Sequence, residues 1–279
     1  MFEVPGFRLF LGINCAVGGA ARAPHGTSVP YESLALSGRV ALVTGGSRGI
    51  GRAIVEVLAR RGAAVAFSYR EREDAARDLV RTLTAAGARA WTGPCDVADE
   101  AQVQRLVADA SAALGPIDIL VNNAGVARDG YVMMMDREKW DAVLRPNLDG
   151  AFFCTRAVVR GMLVRKWGRV ISLTSPSAVA GLPGQANYAA SKGGLIGLTR
   201  TLSRELAPNG VLVNAVMPGL IETDMTAAIP EATRVAHVRN VPVGRLGTAA
   251  EVAEVVAFLS SDAAAYVTGQ VIGVDGGLV

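Results

Sequence analysis

From residue 38 onward, short apolar and β-branched runs alternate with longer stretches whose apolar residues recur every three or four positions. The short runs predict strands over 39–44, 63–68, 89–94, 117–121, 169–173, 211–216 and 271–274. The longer stretches predict helices over 49–61, 71–86, 99–114, 136–164 and 187–206. In the first of these, Ile50, Ile54, Val57 and Leu58 share one face. Gly87 and the pair Gly115-Pro116 stop two of the helices. Unbroken strand–helix alternation makes βαβ units, which assemble into a parallel sheet covered on both faces. The expected fold class is α/β: one doubly wound domain over residues 38–279, with a seven-stranded parallel sheet.

Residues 1–37 break this pattern. They are rich in Gly, Ala and Pro and lack periodicity. The apolar stretch 7–17 is interrupted by Arg8 and Asn14 and has no clear basic flank, which argues against a secretory signal. The segment reads as an N-terminal extension, disordered or arising from a start placed upstream. A transit peptide is the alternative, because Arg8 and Arg22 are present and acidic residues are scarce.

Composition narrows the function. With 51% hydrophobic and 19% charged residues, the 279-residue chain can bury a sizeable core. Its 28 basic and 25 acidic residues are too balanced to indicate nucleic acid as a partner. No run approaches the ~20 apolar residues of a membrane span. Cys15, Cys95 and Cys154 are far apart, and His25 and His237 are the only histidines. No metal-ligand spacing and no disulfide framework follow, and a reducing, cytoplasmic compartment fits best.

Candidate chemistry starts at Thr44-Gly45-Gly46-Ser47-Arg48-Gly49-Ile50-Gly51, between the first strand and the first helix. Glycines there let the backbone approach phosphates, and the helix N-terminus offers N–H groups and a positive dipole end. This is the position at which a dinucleotide fold holds its pyrophosphate. The second strand ends Ser68-Tyr69-Arg70, without the acidic residue that would bind a ribose 2′-hydroxyl. Arg70 and Arg48 instead suit a 2′-phosphate, so the expected cofactor is NADP(H), with Glu71 as a partial counterweight. Tyr188 and Lys192 lie four apart, one turn apart on one helical face. An ammonium beside a phenol favours the phenolate and makes the pair a candidate proton donor.

Taken together, Thr44 to Gly51, Asn122-Asn123-Ala124-Gly125, Ser175 with Tyr188 and Lys192, and Pro218-Gly219 resemble the short-chain dehydrogenases/reductases in order and spacing. The resemblance covers residues 38–279 and implies a Rossmann fold. It extends to the 3-oxoacyl-[acyl-carrier-protein] reductase group through Val126-Ala127-Arg128-Asp129, Gly184-Gln185-Ala186-Asn187-Tyr188, Leu220-Ile221-Glu222-Thr223-Asp224-Met225 and Tyr266-Val267-Thr268-Gly269-Gln270. Acetoacetyl-CoA reductases look nearly as similar.

The resemblance implies roles. Gly45, Ser47, Arg48, Gly49, Ile50 and Gly51 would line the phosphates and adenosine ribose. Asp96 and Val97 would meet the adenine. Asn123, Ala124 and Gly125 would flank the ribose, and Pro218, Gly219, Ile221 and Thr223 would hold the nicotinamide. Ser175 would bond the substrate carbonyl, with Ser177 and Thr174 as rivals. Tyr188 would give the proton. Lys192 would lower the tyrosine pKa and bond the nicotinamide ribose, and Asn147 would support a water in a proton relay. The implied reaction is NADPH-dependent reduction of a 3-oxoacyl thioester, on acyl carrier protein or coenzyme A, in fatty-acid or polyketide synthesis. Reduction of a free small ketone is the alternative, and a non-catalytic NADP(H)-binding protein a third, which retention of Ser, Tyr and Lys disfavours.

Several further expectations follow. Pro146 should kink the helix that carries Asn147. Pro176 should bias Ser175 toward extended backbone. The short segment 219–241 should leave an open mouth. Arg165, Lys166 and Arg169 form a basic cluster for an acidic carrier protein, although Asn209 stands where a further basic residue is expected. The apolar C-terminal strand resembles the family's homotetramer interface.

Overall fold

The computed structural model describes residues 34–223, 226 and 231–279. The chain forms one seven-stranded, fully parallel sheet in the order β3-β2-β1-β4-β5-β6-β7. The strands are β1 (Val40–Val43), β2 (Ala64–Tyr69), β3 (Ala90–Pro94), β4 (Ile119–Asn122), β5 (Gly168–Leu173), β6 (Val211–Pro218) and β7 (Val271–Val274). The helices are α1 (Gly49–Arg60), α2 (Glu73–Ala85), α3 (Glu100–Leu114), α4 (Arg137–Leu144), α5 (Gly150–Arg165), α6 (Ser177–Ala180), α7 (Ala186–Leu206), α8 (Glu231–Val238) and α9 (Ala249–Ser260).

Side chains alternate across the strands and divide the core in two. Ala41 and Val43 of β1 face α1, α2 and α9, against Ile54, Leu58, Leu79 and Val256. Val40 and Leu42 face the other way, against Leu106, Val158 and Met162 of α3 and α5. Both faces are covered, which is why β1, β2, β4 and β5 are buried along their whole length and read as continuous apolar runs.

Three features differ from the sequence expectation. First, Leu36 is only 1% exposed, belongs to the core, and its N–H donates to the Arg61 carbonyl at 2.8 Å. The folded body therefore begins ahead of residue 38. The expected extension lies outside the described residues as far as residue 33. Second, the stretch 136–164 is not a kinked α-helix. α4 passes into a π-helical turn, Arg145–Asp149, and then into α5. Pro146 lacks the N–H that an α-helical interior requires, and the chain widens so that Gly150 N–H donates to Arg145, five residues back. Third, α9 was not expected. Its start is a capping box in which Thr248 Oγ1 accepts from Glu251 N–H while the Glu251 carboxylate accepts from Thr248 N–H.

The strand order reverses between β1 and β4. In open parallel sheets the crevice beyond the carboxyl ends of the strands at such a reversal is where ligands bind. The turn after β1 and residues 122–125 after β4 both lie there.

Candidate active site

The turn after β1 is built to keep its backbone bare. Gly45 and Gly49 have φ of 66° and 53°, in the left-handed region that other residues adopt only with strain. A Cβ on Gly51 would stand 2.2 Å from the Gly45 carbonyl oxygen and 2.5 Å from Asn123 Nδ2. A Cβ on Gly49 would meet Thr223 alone, at 3.7 Å, across the cleft. Ser68 holds the turn from β2, its hydroxyl accepting from Gly45 N–H at 3.2 Å and its carbonyl from Gly46 N–H at 2.9 Å. Ser47 is buried, while Arg48 is exposed at the N-terminus of α1. This cradle fits the phosphates of a dinucleotide.

Other expected cofactor residues divide into scaffold and surface. Asn123 Nδ2 donates to the carbonyls of Thr44 (2.8 Å) and Gly45 (3.1 Å), so this side chain ties β4 to the glycine turn rather than reaching into the cleft. Thr44 Oγ1 accepts from the N–H groups of Asn123 and Ala124, at 3.0 Å each. The side chains of Val97 and Ile221 are buried in the two cores, which leaves their backbone groups for any cofactor contact. The half-buried Asp96 accepts from Ala98 N–H. Pro218 ends β6, and Gly219 N–H donates to Val274. A Cβ on Gly219 would stand 2.6 Å from Asp275 Cα. Asp224 and Met225 lie outside the described residues, as does part of the mouth segment 219–241.

At the end of β2, Arg70 donates to Glu71 Oε1 at 2.7 Å. Arg70 first, and Arg48 and Arg72 beyond it, hold the Glu71 carboxyl below its usual range. Arg48 and Arg70 therefore flank the same exposed carboxylate.

The catalytic candidates converge past the end of β5. The Ser175 hydroxyl lies close enough to the Tyr188 phenol to lower its pKa. Lys192 Nζ lies 5.7 Å from the Tyr188 ring centroid and donates to the Leu173 carbonyl at 2.7 Å. Thr174 Oγ1 donates to the Lys192 carbonyl at 3.0 Å, which pins α7 to β5. Thr174 is thus a fastening residue, and Ser175 is the serine whose hydroxyl acts on the Tyr188 phenol. Pro176 does not disturb it. The proline stands at the N-cap of α6, where a missing N–H costs nothing, and Ser175 Oγ accepts from Ser177 N–H at 3.3 Å.

Asn147 is buried in the π-turn. Its Oδ1 accepts from Val126 N–H at 2.8 Å, and its Nδ2 donates to the Val126 carbonyl and to Ser191 Oγ, both at 3.0 Å. Ser191 Oγ in turn donates to the Tyr188 carbonyl at 2.8 Å. A Cβ on Gly125 would meet Asn147 Oδ1 at 3.2 Å and Lys192 Nζ at 3.5 Å, so a glycine separates these two groups.

Burial pushes the Tyr188 phenol up from its ordinary value, the Ser175 hydroxyl pulls it down, and Asp129 pushes it up. Burial lowers Lys192 itself to about 8. The lysine is 4% exposed, and a desolvated ammonium is held less tightly in its charged form.

The basic cluster divides: Lys166 is exposed at the C-cap of α5, whereas the two arginines are engaged within the fold. Arg169 is 3% exposed and lies over the Trp167 ring, bonded to Gly168 and Asp262. Arg165 donates to the Ile117 carbonyl and pairs with Asp118 at 3.3 Å. Arg169 sits at the amino end of β5, six residues or roughly 20 Å of strand from Ser175, and Arg165 ends the helix just before that strand. They brace the far end of the sheet and do not border the site.

With this geometry in view, the chain can be set against known proteins. A family model described as enoyl-(acyl carrier protein) reductase matches residues 45–279. The 3-oxoacyl-[acyl-carrier-protein] reductase of Escherichia coli is 46% identical over 241 residues, which cover 86% of this chain and 97% of that protein. The chain belongs to the short-chain dehydrogenase/reductase family. The 3-oxoacyl-[acyl-carrier-protein] reductase of Synechocystis is 46% identical over 246 residues, covering 88% of this short-chain dehydrogenase/reductase and 98% of the relative. A gluconate 5-dehydrogenase of Burkholderia cenocepacia, solved with NADP and tartrate, superposes with a TM-score of 0.84 at 37% identity, covering 88% of this chain and 97% of that one. The chain is an oxidoreductase that interconverts an alcohol and a carbonyl, as the recognised motifs imply.

Three residues of the site went unassigned from sequence: Ser177 as a support rather than a rival, Gln185 and Asp129. Their signal was present only as quoted family motifs, because their partners lie on separate loops.

Proposed function

We propose that this enzyme reduces a 3-oxoacyl thioester, carried on acyl carrier protein, to the 3-hydroxyacyl thioester with NADPH. The observation that carries the reading is the convergence of Ser175, Tyr188 and Lys192 past the end of β5, beside a glycine cradle shaped for a dinucleotide. The substrate class is taken from the similar 3-oxoacyl-[acyl-carrier-protein] reductases.

A nicotinamide dinucleotide, when bound, supplies the hydride for the carbonyl carbon. Ser175 donates a hydrogen bond to the substrate oxygen as negative charge gathers there. Tyr188 transfers its phenolic proton to that oxygen, so that hydride and proton together turn C=O into CH–OH. Lys192 presents its ammonium beside the phenol. Asn147 and Ser191 fix the π-turn to α7 beneath the pair. Gly45, Ser47, Arg48, Gly49, Ile50 and Gly51 would hold the phosphates, and Asp96, Ala124, Gly125, Pro218, Gly219 and Thr223 the adenine, ribose and nicotinamide ends. Arg48 and Arg70 favour the 2′-phosphate of NADP(H), because both cations lie near the end of β2, with Glu71 paired to Arg70 as the counterweight.

The enzyme works as a cytoplasmic homotetramer in this reading. β7 is an edge strand whose side chains are only partly covered, and Tyr266 just before it is fully exposed. Among the described residues, no helix is long and apolar enough to cross a membrane.

A second reading has one observation in its favour. The gluconate 5-dehydrogenase likeness points to a free hydroxy acid or ketone in place of a thioester. The deciding experiment follows NADPH oxidation with acetoacetyl carrier protein, acetoacetyl-CoA and free ketones. Turnover of the carrier-linked substrate is expected; turnover of free ketones alone would refute the thioester reading.

A further inference from the structure

A line of hydrogen bonds runs from Ser175 to the protein surface. Ser175 Oγ accepts from Ser177 N–H and donates to Ser177 Oγ, both at 3.3 Å. Ser177 Oγ donates to Gln185 Oε1 at 2.7 Å. Gln185 Nε2 donates to both carboxylate oxygens of Asp129, at 3.2 and 3.4 Å. The three residues come from three segments, after β4, after β5 and at the start of α7. The Gly130 N–H to Gly184 carbonyl bond, at 2.7 Å, closes the first loop on the third.

The direction of this line is set from its outer end. An ionised carboxylate only accepts, so Gln185 must turn its NH2 toward Asp129 and its oxygen toward Ser177. A serine hydroxyl has one proton, and that of Ser177 is committed to Gln185. Ser177 can therefore only accept from Ser175. Each assignment follows from the one before it. The Ser175 oxygen is left clamped by the Ser177 N–H.

We propose that Ser177, Gln185 and Asp129 are positioning residues for carbonyl reduction: they hold Ser175 Oγ beside Tyr188 before substrate arrives. This rests on the reading of Ser175 and Tyr188 as the carbonyl-oxygen site. When a carbonyl enters, only the Ser175 proton has to turn, from a long 3.3 Å bond to the substrate oxygen. The oxygen atom stays where the Ser177 N–H holds it. Two donors are then already in register where charge develops, which is the arrangement that lowers the barrier most. Asn147 and Ser191 act on the opposite side, through the backbone of Tyr188, and are separate from this line.

The test measures kcat, KM and NADPH affinity with acetoacetyl-CoA and with a free 3-oxo ester. Ser177→Ala should lower kcat about tenfold on both substrates, with KM and NADPH affinity within about twofold, because only the register of the reacting groups is lost. Asp129 is exposed, so Asp129→Ala tests the outer end without risk to the core. It should lower kcat about threefold at unchanged Tm, and Asp129→Glu, which keeps a carboxylate, should restore it. Wild-type kcat in Ser177→Ala, or equal kcat in Asp129→Ala and Asp129→Glu, overturns the proposal. If the wild type reduces the free ester and not the thioester, the proposed substrate fails, while the positioning test is decided on the ester. A wild type inert toward every carbonyl overturns both.

Discussion

Tyr188 is a poorer acid in this structure than a solvent-exposed tyrosine, since burial outweighs the pull of the Ser175 hydroxyl. It therefore enters the reaction protonated, as a donor must. Tyr188→Phe should remove carbonyl reduction and leave NADPH binding within about twofold, since removing a transition-state contact lowers kcat without removing ground-state binding; surviving reduction would rule out the proton-donor role. Lys192 offers a pH test. Its pKa is about 8 when folded against an ordinary 10.5, so between these values the unfolded chain binds a proton that the folded chain lacks. Lys192 thus makes stability rise with pH from about 8 to 10.5. Denaturant titrations should show a steeper rise across that window in the wild type than in Lys192→Met; identical pH dependence would place the ammonium in water. Arg70→Asp should weaken NADPH by at least about tenfold more than NADH, because in the proposed reading it reverses a charge that would meet the 2′-phosphate. Equal losses, measured as dissociation constants, would exclude Arg70 from cofactor choice.

The glycine turn shows how an element can carry chemistry through its backbone alone. Gly51→Ala should cost about 1–3 kcal/mol of stability, as overpacking does, and loosen NADPH by more than about tenfold, because the Gly45 carbonyl must move. A dissociation constant near wild type would mean that the turn does not hold phosphates. This element was legible in the sequence because strand, glycines and helix are contiguous. The strands β1, β2, β4 and β5 were legible for a related reason: both faces are covered, so periodicity and apolar content agree. The helix of 249–260 was missed although Thr248 and Glu251 announce it, since its apolar residues run nearly all round and give no amphipathic stripe. The role of Arg169 was misread because exposure was inferred from charge. Its burial depends on Trp167 and Asp262, and Asp262 lies 93 residues further on. The Asp129–Gln185–Ser177 line was illegible for the same reason, as it joins three loops.

At the scale of the molecule, the sheet separates its tasks by end. The carboxyl ends of β1, β4 and β5 carry the cradle and the Ser175–Tyr188 pair, while the amino ends carry arginines that brace the core. Leu36 belongs to the bracing end. A chain begun at residue 34 should melt with the full-length protein, whereas one begun at residue 38 should lose about 2–5 kcal/mol, the typical cost of deleting a buried leucine. Equal Tm values would show that Leu36 is dispensable. The π-turn at Arg145–Asp149 links two packing environments, because α4 lies against α7 while α5 packs under the sheet. In terms of helical phase, it is a one-residue surplus. Each residue turns a helix by about 100°, so an otherwise regular α4–α5 rod could not present Asn147 to the loop after β4 and Cys154, Val158 and Met162 to the core at once. Deleting a single residue from the turn would straighten the rod and put one of those two faces out of phase with its partner.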